Sequence, residues 1–161
     1  MQPGTVTTFG LGEALFALPV TMVQEILDAR PVSPLPNMPP HLLGVIDVRG
    51  ASVAVVDLRL LLGEPPRDDA ADTRFVVLLL ERDGQPRPVA LRVDRVIEVT
   101  GLDDGRMEPV AGAELLSWDP RVVAGLGRRN GAFVTVLRTD GLFDGEMAAA
   151  LIRRSSGQEA A

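Results

Sequence analysis

The chain contains no cysteine, no lysine and no tyrosine, and it has a single histidine, His41. The absence of cysteine excludes disulfides, cysteine-metal sites and thiol chemistry. A single histidine excludes a zinc site built from several histidines. No window approaches the ~18 apolar residues that a membrane-spanning helix needs, and the first residues lack the charged-then-apolar pattern of a secretion signal. We therefore expect a cytoplasmic protein without a metal ion or another cofactor.

Positive charge is also scarce. The chain has 16 basic residues, all of them arginine, against 22 acidic ones, so its net charge is −6. Binding to nucleic acid requires cations concentrated against the phosphates, and this balance argues against it. Apolar residues are plentiful, at 46% of the 161 positions, which is enough to bury a sizeable core.

The stretch from Gly44 to Arg59 is the most informative part of the sequence. β-branched residues dominate both sides of Arg49-Gly50 and favour strands, while glycine adopts the positive φ of a tight turn without steric cost. Asp57 is a good N-cap residue, and a leucine-rich run follows it. The pattern predicts a strand, a turn that presents Arg49, a second strand and the start of a helix.

The same hairpin pattern recurs later in the chain. Residues 44–56 align without a gap on residues 125–137, where Asn130-Gly131, a strong signal for a hairpin turn, occupies the turn. Residues 17–26 align on residues 90–99. Two matched blocks in the same order favour an internal duplication over chance similarity among valine-rich strands.

The duplication predicts a single domain over residues 1–161 with two β-rich subdomains, at about 5–64 and about 73–140. The segment Gly63–Asp72, rich in proline and aspartate, would connect them. A C-terminal helix and tail are predicted at about 144–161. Further predicted elements are two strands turning at residues 10–13, a short helix running into a strand at 19–27, a rigid proline-rich loop at 31–40, and a strand buried on both faces at 75–80.

Catalytic motifs are absent on inspection of the candidates. Ser52 sits in a near match to a nucleophile elbow, but it enters a strand, and the one histidine precedes it in the chain. The glycines of residues 125–131 have the wrong spacing for a dinucleotide fingerprint and lead into a strand. The aspartates of Gly63–Asp72 lack the spacing of a calcium loop. The sequence therefore favours a binding protein over an enzyme.

Several segments of the chain, taken in order, resemble the sequence motifs of a known family. Gly44–Gly50 followed by Val55–Arg59 is similar to the signature of CheW-type coupling proteins of bacterial chemotaxis, and the resemblance covers about residues 6–145. Other segments that fall in the family's order are Phe9–Val20, Val23–Ile26, Val93–Val96 and Ala124–Gly127. The resemblance implies a mainly β fold with two SH3-like five-stranded β-barrels packed around a shared core, with short helices.

The resemblance also implies a function. Proteins of this family are non-enzymatic adaptors of two-component signalling that join the cytoplasmic tip of methyl-accepting chemoreceptors to the regulatory domain of the histidine kinase CheA. Such an adaptor meets the membrane receptor array through its partners and does not itself enter the membrane. A receptor tip is a helical hairpin, and a helix laid into an apolar groove is a recurring mode of recognition.

Candidate partner contacts follow from the resemblance. The residues at positions implied to face the receptor are Val20, Val23, Glu25, Ile26, Arg49 and Val96. The residues suggested for the kinase contact are Leu126 with its neighbours Gly125 and Gly127. Apolar residues such as these four receptor candidates are more often plain core residues, and Glu25 could be part of a solvated face. Arg49 stands where the second copy has Asn130, so turn preference does not explain it. It either contacts a partner or forms an internal ion pair with a carboxylate such as Asp57.

Two positions depart from the family pattern, which usually has asparagine at Asp47 and proline at Ala54. Asp47 adds a negative charge near Arg49 and could change partner choice. These departures leave open a divergent adaptor in a non-flagellar pathway, such as surface motility or gene regulation. A rival interpretation is a free-standing SH3-like module that binds extended or proline-rich peptides. Such grooves rely on aromatic platforms, and the chain has only five phenylalanines and one tryptophan.

Overall fold

The computed structural model describes residues 4–82, 84–108 and 122–139. Within these residues the chain forms ten strands and one short α-helix. The strands are β1 (Thr5–Leu11), β2 (Ala14–Pro19), β3 (Val23–Asp28), β4 (Leu42–Val48), β5 (Ala51–Asp57), β6 (Arg74–Arg82), β7 (Gln85–Val93), β8 (Arg95–Gly101), β9 (Val123–Arg129) and β10 (Ala132–Leu137), and the helix is α1 (Leu58–Leu61). Single 3-10 turns occupy Val20–Met22 and Asp103–Gly105. The predicted C-terminal helix at about 144–161 lies outside the described residues.

The strands form two five-stranded sheets. The first, here called the terminal sheet, has the order β8-β1-β2-β10-β9, and the second, the central sheet, has the order β3-β6-β7-β5-β4. Neighbouring strands are antiparallel except for two parallel pairs, β2 with β10 and β5 with β7. The predicted mainly β fold is confirmed, with five strands in each of the two sheets. Closure of each sheet into an SH3-like barrel stays a prediction.

The two sheets are related by the sequence repeat. Replacing each strand of the terminal sheet by the strand five places away along the chain gives the central sheet in the same order. The irregularities repeat as well. Gln24 in β3 and Ile97 in β8 are each the extra residue of a bulge against the neighbouring strand, and these two positions match in the alignment. The architecture therefore supports an internal duplication.

The sheets do not coincide with the predicted subdomains at about 5–64 and 73–140. The central sheet is continuous in sequence, from Val23 to Val93, whereas the terminal sheet combines the first two strands with the last three. Each copy of the repeat thus lends its strands to both sheets. The sequence repeat could not reveal this exchange of strands between the copies. Because β1 and β6 are equivalent strands, β3 and β8 could each pair with either of them.

A shared apolar core holds the two sheets together. The largest cluster of buried residues takes Phe9, Leu11, Leu18 and Leu137 from the terminal sheet, and it takes Leu42, Val56, Val76, Leu78, Val89, Leu91 and Val93 from the central sheet, with Leu58 of α1. Smaller clusters lie within each sheet. In the strand predicted to be buried on both faces, Phe75 to Leu78 are buried and Leu79 is exposed.

Two glycines occupy equivalent places at which a loop crosses a hairpin. Ser33 bridges to Val45 beside Gly44, and Glu108 bridges to Leu126 beside Gly125. A Cβ on Gly44 would collide with the carbonyl group of Ser33, and one on Gly125 would lie 2.7 Å from the carbonyl oxygen of Glu108. The close approach of backbone to backbone explains why both copies carry glycine here.

Candidate functional site

The tip of the β4–β5 hairpin has the conformation that the sequence predicts. Arg49 and Gly50 have φ values of 51° and 85°, and the matching Asn130 and Gly131 have 52° and 81°. Left-handed backbone costs a non-glycine residue about 1–2 kcal/mol, with asparagine among the most tolerant residues. The Oδ1 atom of Asp47 accepts a hydrogen bond of 2.7 Å from the N–H of Gly50, which stabilises the turn. Arg49 is the residue that the turn itself does not favour.

The Arg49 side chain extends from this turn to Glu25. Its Nη2 donates to Oε2 of Glu25 at 2.8 Å, and the side chains are 68% and 23% exposed. Of the two alternatives for Arg49, an ion pair with a carboxylate of the chain is present, with Glu25 and not Asp57 as the partner, and a contact with another protein stays a prediction. Asp57 is buried, caps α1 through the N–H of Arg59 and pairs with Arg92. Arg49 therefore presents an accessible guanidinium that one surface carboxylate orients.

The pair also joins opposite edges of one sheet. Glu25 lies on β3 and Arg49 directly follows β4, which are the outermost strands of the central sheet. In the terminal sheet the outermost strands are joined likewise, by Glu98 on β8 and Arg129 on β9 at 2.9 Å. Each sheet therefore curls until its outer strands approach each other. Glu25 and Glu98 match in the repeat, but Arg49 matches Asn130 and not Arg129, so the two ion pairs share only their acidic partner by position.

The apolar residues predicted to face a receptor have mixed surroundings. Ile26 is 39% exposed on β3. Val23 and Val96, which match in the repeat, are half-buried and pack against the shared core. Val20 is half-buried in the 3-10 turn between β2 and β3. The core alternative is thus partly correct for Val23 and Val96, and an apolar groove for a receptor helix stays a prediction.

The residues predicted to face a kinase divide into two kinds. Gly125 and Gly127 are buried, and a Cβ on either would approach to within 2.5 Å of the side chain of Met107 or Leu102, respectively. Their lack of a side chain serves packing. Leu126 between them is half-buried. The wall of a cavity of about 1050 Å³ includes Leu126, together with Leu11, Leu15, Phe16, Leu61, Leu62, Val122, Val123, Phe133 and Leu137.

A cluster of buried charges is the feature that the sequence analysis missed. Arg59 and Asp94 form a two-point ion pair, with Nε–Oδ1 at 2.8 Å and Nη2–Oδ2 at 2.6 Å. Oδ2 of Asp94 also accepts from the N–H of Gly12 at 2.6 Å and from Arg67 at 2.9 Å. The Arg59 hydrogen bonds are the main reason why the pKa of Asp94 falls from 3.8 to about 2, against the opposing effect of burial.

Arg92 forms a second buried pair beside the first. It bonds Asp57 at 3.3 Å and Asp69 at 2.7 Å, and it donates to the carbonyl oxygen of Arg67 at 2.6 Å. The connection Gly63–Asp72 is therefore anchored to β7 at Asp69. The signal available in the sequence was Arg92 within an apolar strand and Asp94 directly after it, because buried charges need partners. Among the described residues no group of histidine, cysteine, aspartate and glutamate could hold a metal ion.

Comparison with known proteins decides the family. A model of the CheW-like domain matches residues 5–147. The chain belongs to the CheW-like family. The resemblance seen in the hairpin motifs is thereby confirmed.

CheW relatives and a solved CheW structure agree with this assignment. The chain is 27% identical over 132 residues to the chemotaxis protein CheW of Helicobacter pylori, covering 82% of this chain and 76% of that protein. It is 32% identical over 101 residues to a probable chemotaxis protein CheW of Rhizobium etli, covering 63% of each. The crystal structure of the scaffolding protein TtCheW from Thermoanaerobacter tengcongensis superposes with a TM-score of 0.76 at 26% identity, covering 90% of this chain and 95% of that one.

The two departures from the usual CheW pattern have local consequences. Asp47 supplies the carboxylate oxygen that binds the N–H of Gly50, an acceptor role that an asparagine carbonyl could also fill. Ala54 lies in the middle of β5, paired with Val45 on one side and Val89 on the other. A proline at Ala54 would have no N–H for either ladder. Ala54 thus permits a regular strand.

In the described part of the chain no helix is long and apolar enough to cross a membrane.

Proposed function

We propose that this CheW-like chain is a non-enzymatic adaptor that couples methyl-accepting chemoreceptors to a CheA-type histidine kinase. The observation that carries the proposal is the geometry of Arg49. The residue adopts a left-handed turn that does not favour it, with φ of 51°, and its side chain is 68% exposed beside Glu25. Backbone strain at an exposed charged residue is typical of a functional position.

The receptor contact would combine charge with apolar surface. Nη2 of Arg49 bonds to Glu25, and the guanidinium carries further N–H donors that its exposure makes accessible to a receptor. Ile26 on the same strand adds an exposed apolar side chain. Charges at the rim of such an interface contribute more to specificity than to affinity. In this proposal Glu25 fixes the direction in which Arg49 meets the receptor helix.

The kinase contact would lie on the other sheet. Leu126 belongs to β9 of the terminal sheet, whereas Glu25 and Arg49 belong to the central sheet. Separate sheets would let the chain bind both partners at once, which an adaptor requires. Each interface is expected to be small, with coupling strengthened by avidity in a clustered array. The protein would be cytoplasmic and reach the membrane array through these partners.

Co-sedimentation tests the proposal. Vesicles carrying receptor-tip fragments are mixed with the CheA regulatory domain and either wild type, Arg49→Glu or Arg74→Glu. Arg74 is the matched control, because it forms an ion pair on the same sheet, with Asp28 at 3.5 Å. We expect wild type and Arg74→Glu to bring the kinase domain down with the vesicles. Arg49→Glu should lose the receptor and still bind the kinase domain.

Three other outcomes would contradict the proposal. Equal loss of both partners by Arg49→Glu, with a lowered melting temperature, would make Arg49 structural. Loss of receptor binding in both Arg49→Glu and Arg74→Glu would mean that receptor binding depends on net charge and not on this site. Binding of wild type to neither partner, with binding to proline-rich peptides, would favour the SH3-like peptide module.

A further inference from the structure

Asp94 lies at the point where the chain passes from one sheet to the other. It is the single residue between β7 of the central sheet and β8 of the terminal sheet. Its carboxylate bonds in both directions. The N–H of Gly12, in the β1–β2 turn of the terminal sheet, donates to Oδ2, and Arg59, in the helix that follows β5 of the central sheet, donates to both oxygens.

Neighbouring contacts extend this connection on both sides. The carbonyl oxygen of Gly12 accepts a hydrogen bond from Arg95 at 2.6 Å. The N–H of Gly12 is thus bound by Asp94, and its carbonyl oxygen is bound by the next residue, Arg95. On the other side Arg59 donates to the carbonyl oxygen of Pro65 at 3.2 Å, and Arg67 reaches Asp94 from the same connection. The β1–β2 turn of the terminal sheet and the connection between α1 and β6 in the central sheet therefore meet at one carboxylate.

The crossing related to it by the repeat is built differently. The chain passes from β2 to β3 through the 3-10 turn Val20–Met22, which buries none of its residues. Thr21 occupies the position that matches Asp94, and it is exposed. The duplication therefore left one neutral crossing at the surface and one crossing that carries a buried ion pair. This asymmetry requires a cause other than the fold that both copies share.

An apolar core and an ion pair differ in how far they constrain direction, and this difference suggests a cause for the asymmetry between the crossings. Burial of apolar surface holds two sheets together but is non-directional. A two-point arginine–carboxylate pair is directional and adds geometric specificity. The best-attested use of buried polar groups is to select one arrangement among packings of similar energy. The shared core would hold the sheets in contact, and the Asp94 contacts would select one angle.

We propose that Asp94 is a positioning residue that fixes the angle between the terminal and central sheets. It acts through Arg59 and the Gly12 N–H and touches no partner itself. A second step rests on the proposed function: with the receptor contact on the central sheet and the kinase contact on the terminal sheet, this angle sets how the two partners are placed relative to each other.

A distance measurement tests the first step without any partner. The chain has no cysteine, so spin labels can be attached at Ala51→Cys and Ala132→Cys, two exposed alanines at equivalent places in the hairpins of the two sheets. Double electron–electron resonance then reports the distribution of distances between the sheets. We expect one narrow distribution in the labelled protein and a broader or shifted one after Asp94→Asn.

Asp57→Asn is the matched control. Asp57 is as deeply buried, at 4% side-chain exposure against 6% for Asp94, and its ion pair with Arg92 joins β5 to β7 within the central sheet. Both substitutions remove one buried charge, and urea titration compares their losses of stability. Broadening by Asp94→Asn alone supports the proposal. An unchanged distribution in folded Asp94→Asn, or equal broadening in both variants, would overturn it.

Arg59→Lys provides a second variant if Asp94→Asn does not fold. Lysine keeps the charge but lacks the fork that makes the two-point contact. We expect Arg59→Lys to broaden the distance distribution while Asp94 keeps a charged partner. A narrow distance distribution, identical to that of the parent protein, would show that the two-point geometry of the Arg59–Asp94 contact does not matter, and it would overturn the proposal.

The second step is read from partner binding. We expect Asp94→Asn to bind the receptor fragment and the kinase domain separately as wild type does, and to form the ternary complex about tenfold more weakly, within the usual range of coupling between sites. A full-strength ternary complex despite a broadened distance distribution would overturn the second step alone. Failure of wild type to bind either partner would overturn the proposed function and leave the distance result intact.

Discussion

Arg49 and Asn130 occupy the same position in the two copies of the hairpin, with φ values of 51° and 52°. Asparagine suits this left-handed conformation and arginine does not. The first copy therefore carries a conformational cost that the second copy avoids.

Replacing Arg49 by asparagine should stabilise the protein while removing receptor binding. Relief of the left-handed strain is worth about 1 kcal/mol, and the lost pair with Glu25, on an exposed arginine, about 0.5 kcal/mol. We expect the free energy of unfolding to rise by about 0.5 kcal/mol in urea titrations. The reciprocal control, Asn130→Arg, should lower it. If Arg49→Asn is clearly less stable than wild type, the ion pair outweighs the strain.

Acid should destabilise the protein through Asp94. Its pKa is about 2 in the folded protein and 3.8 in the unfolded reference, so the unfolded chain binds the proton more tightly. The stabilisation is complete above about pH 5 and is lost as the pH falls towards 2, amounting to about 2 kcal/mol. Urea titrations from pH 6 to pH 2 should show this loss. In Asp94→Asn the slope over this range should be smaller, and an unchanged slope would assign the acid sensitivity to other carboxylates.

Gly125→Ala should destabilise the fold. The new Cβ would lie 2.5 Å from Cγ of Met107 and 2.7 Å from the carbonyl oxygen of Glu108, and overpacking of this kind costs about 1–3 kcal/mol. Gly101→Ala is the control, because it has open space around its Cβ and no positive φ. Thermal melting should separate the two variants. Loss of kinase binding by Gly125→Ala at unchanged melting temperature would instead make this glycine part of the interface.

Leu126→Ala should weaken kinase binding without affecting the receptor. Truncation of a central apolar residue at an interface costs more than about 1 kcal/mol, which corresponds to a roughly five- to tenfold rise in Kd. Val45 matches Leu126 in the repeat, is also half-buried and lies on the central sheet, so Val45→Ala is the control. Titration calorimetry with the kinase domain measures both variants. Equal weakening by both truncations would indicate a general loss of packing.

Local patterns in the sequence were sufficient to predict the hairpins. The turns at Arg49-Gly50 and Asn130-Gly131, the N-cap at Asp57 and the turn after Leu11 depend on residues close together in the chain, and each is found where predicted. The exposed position of Arg49 followed from its place at the tip of an otherwise apolar hairpin. The ionic partner of Arg49 did not, because Glu25 lies 24 positions away on a different strand.

Long-range arrangements could not be predicted. The exchange of strands between the copies and the contacts of Asp94 both depend on which segments meet after folding. Asp94 and Gly12 are separated by 82 positions, and no local propensity relates them. A buried aspartate next to an apolar strand signals that a partner exists, without naming it.

The order of the strands also bears on how the polypeptide folds as it leaves the ribosome. The central sheet uses one uninterrupted stretch, Val23–Val93, whereas β1 and β2 reach their remaining partners only after β8, β9 and β10 have been synthesised. Chains are made from the N-terminus, and long-range closures form slowly. We therefore expect the central sheet to assemble first on the nascent chain. The terminal sheet would be completed only after the β9–β10 hairpin has been synthesised and has joined the β1–β2 hairpin.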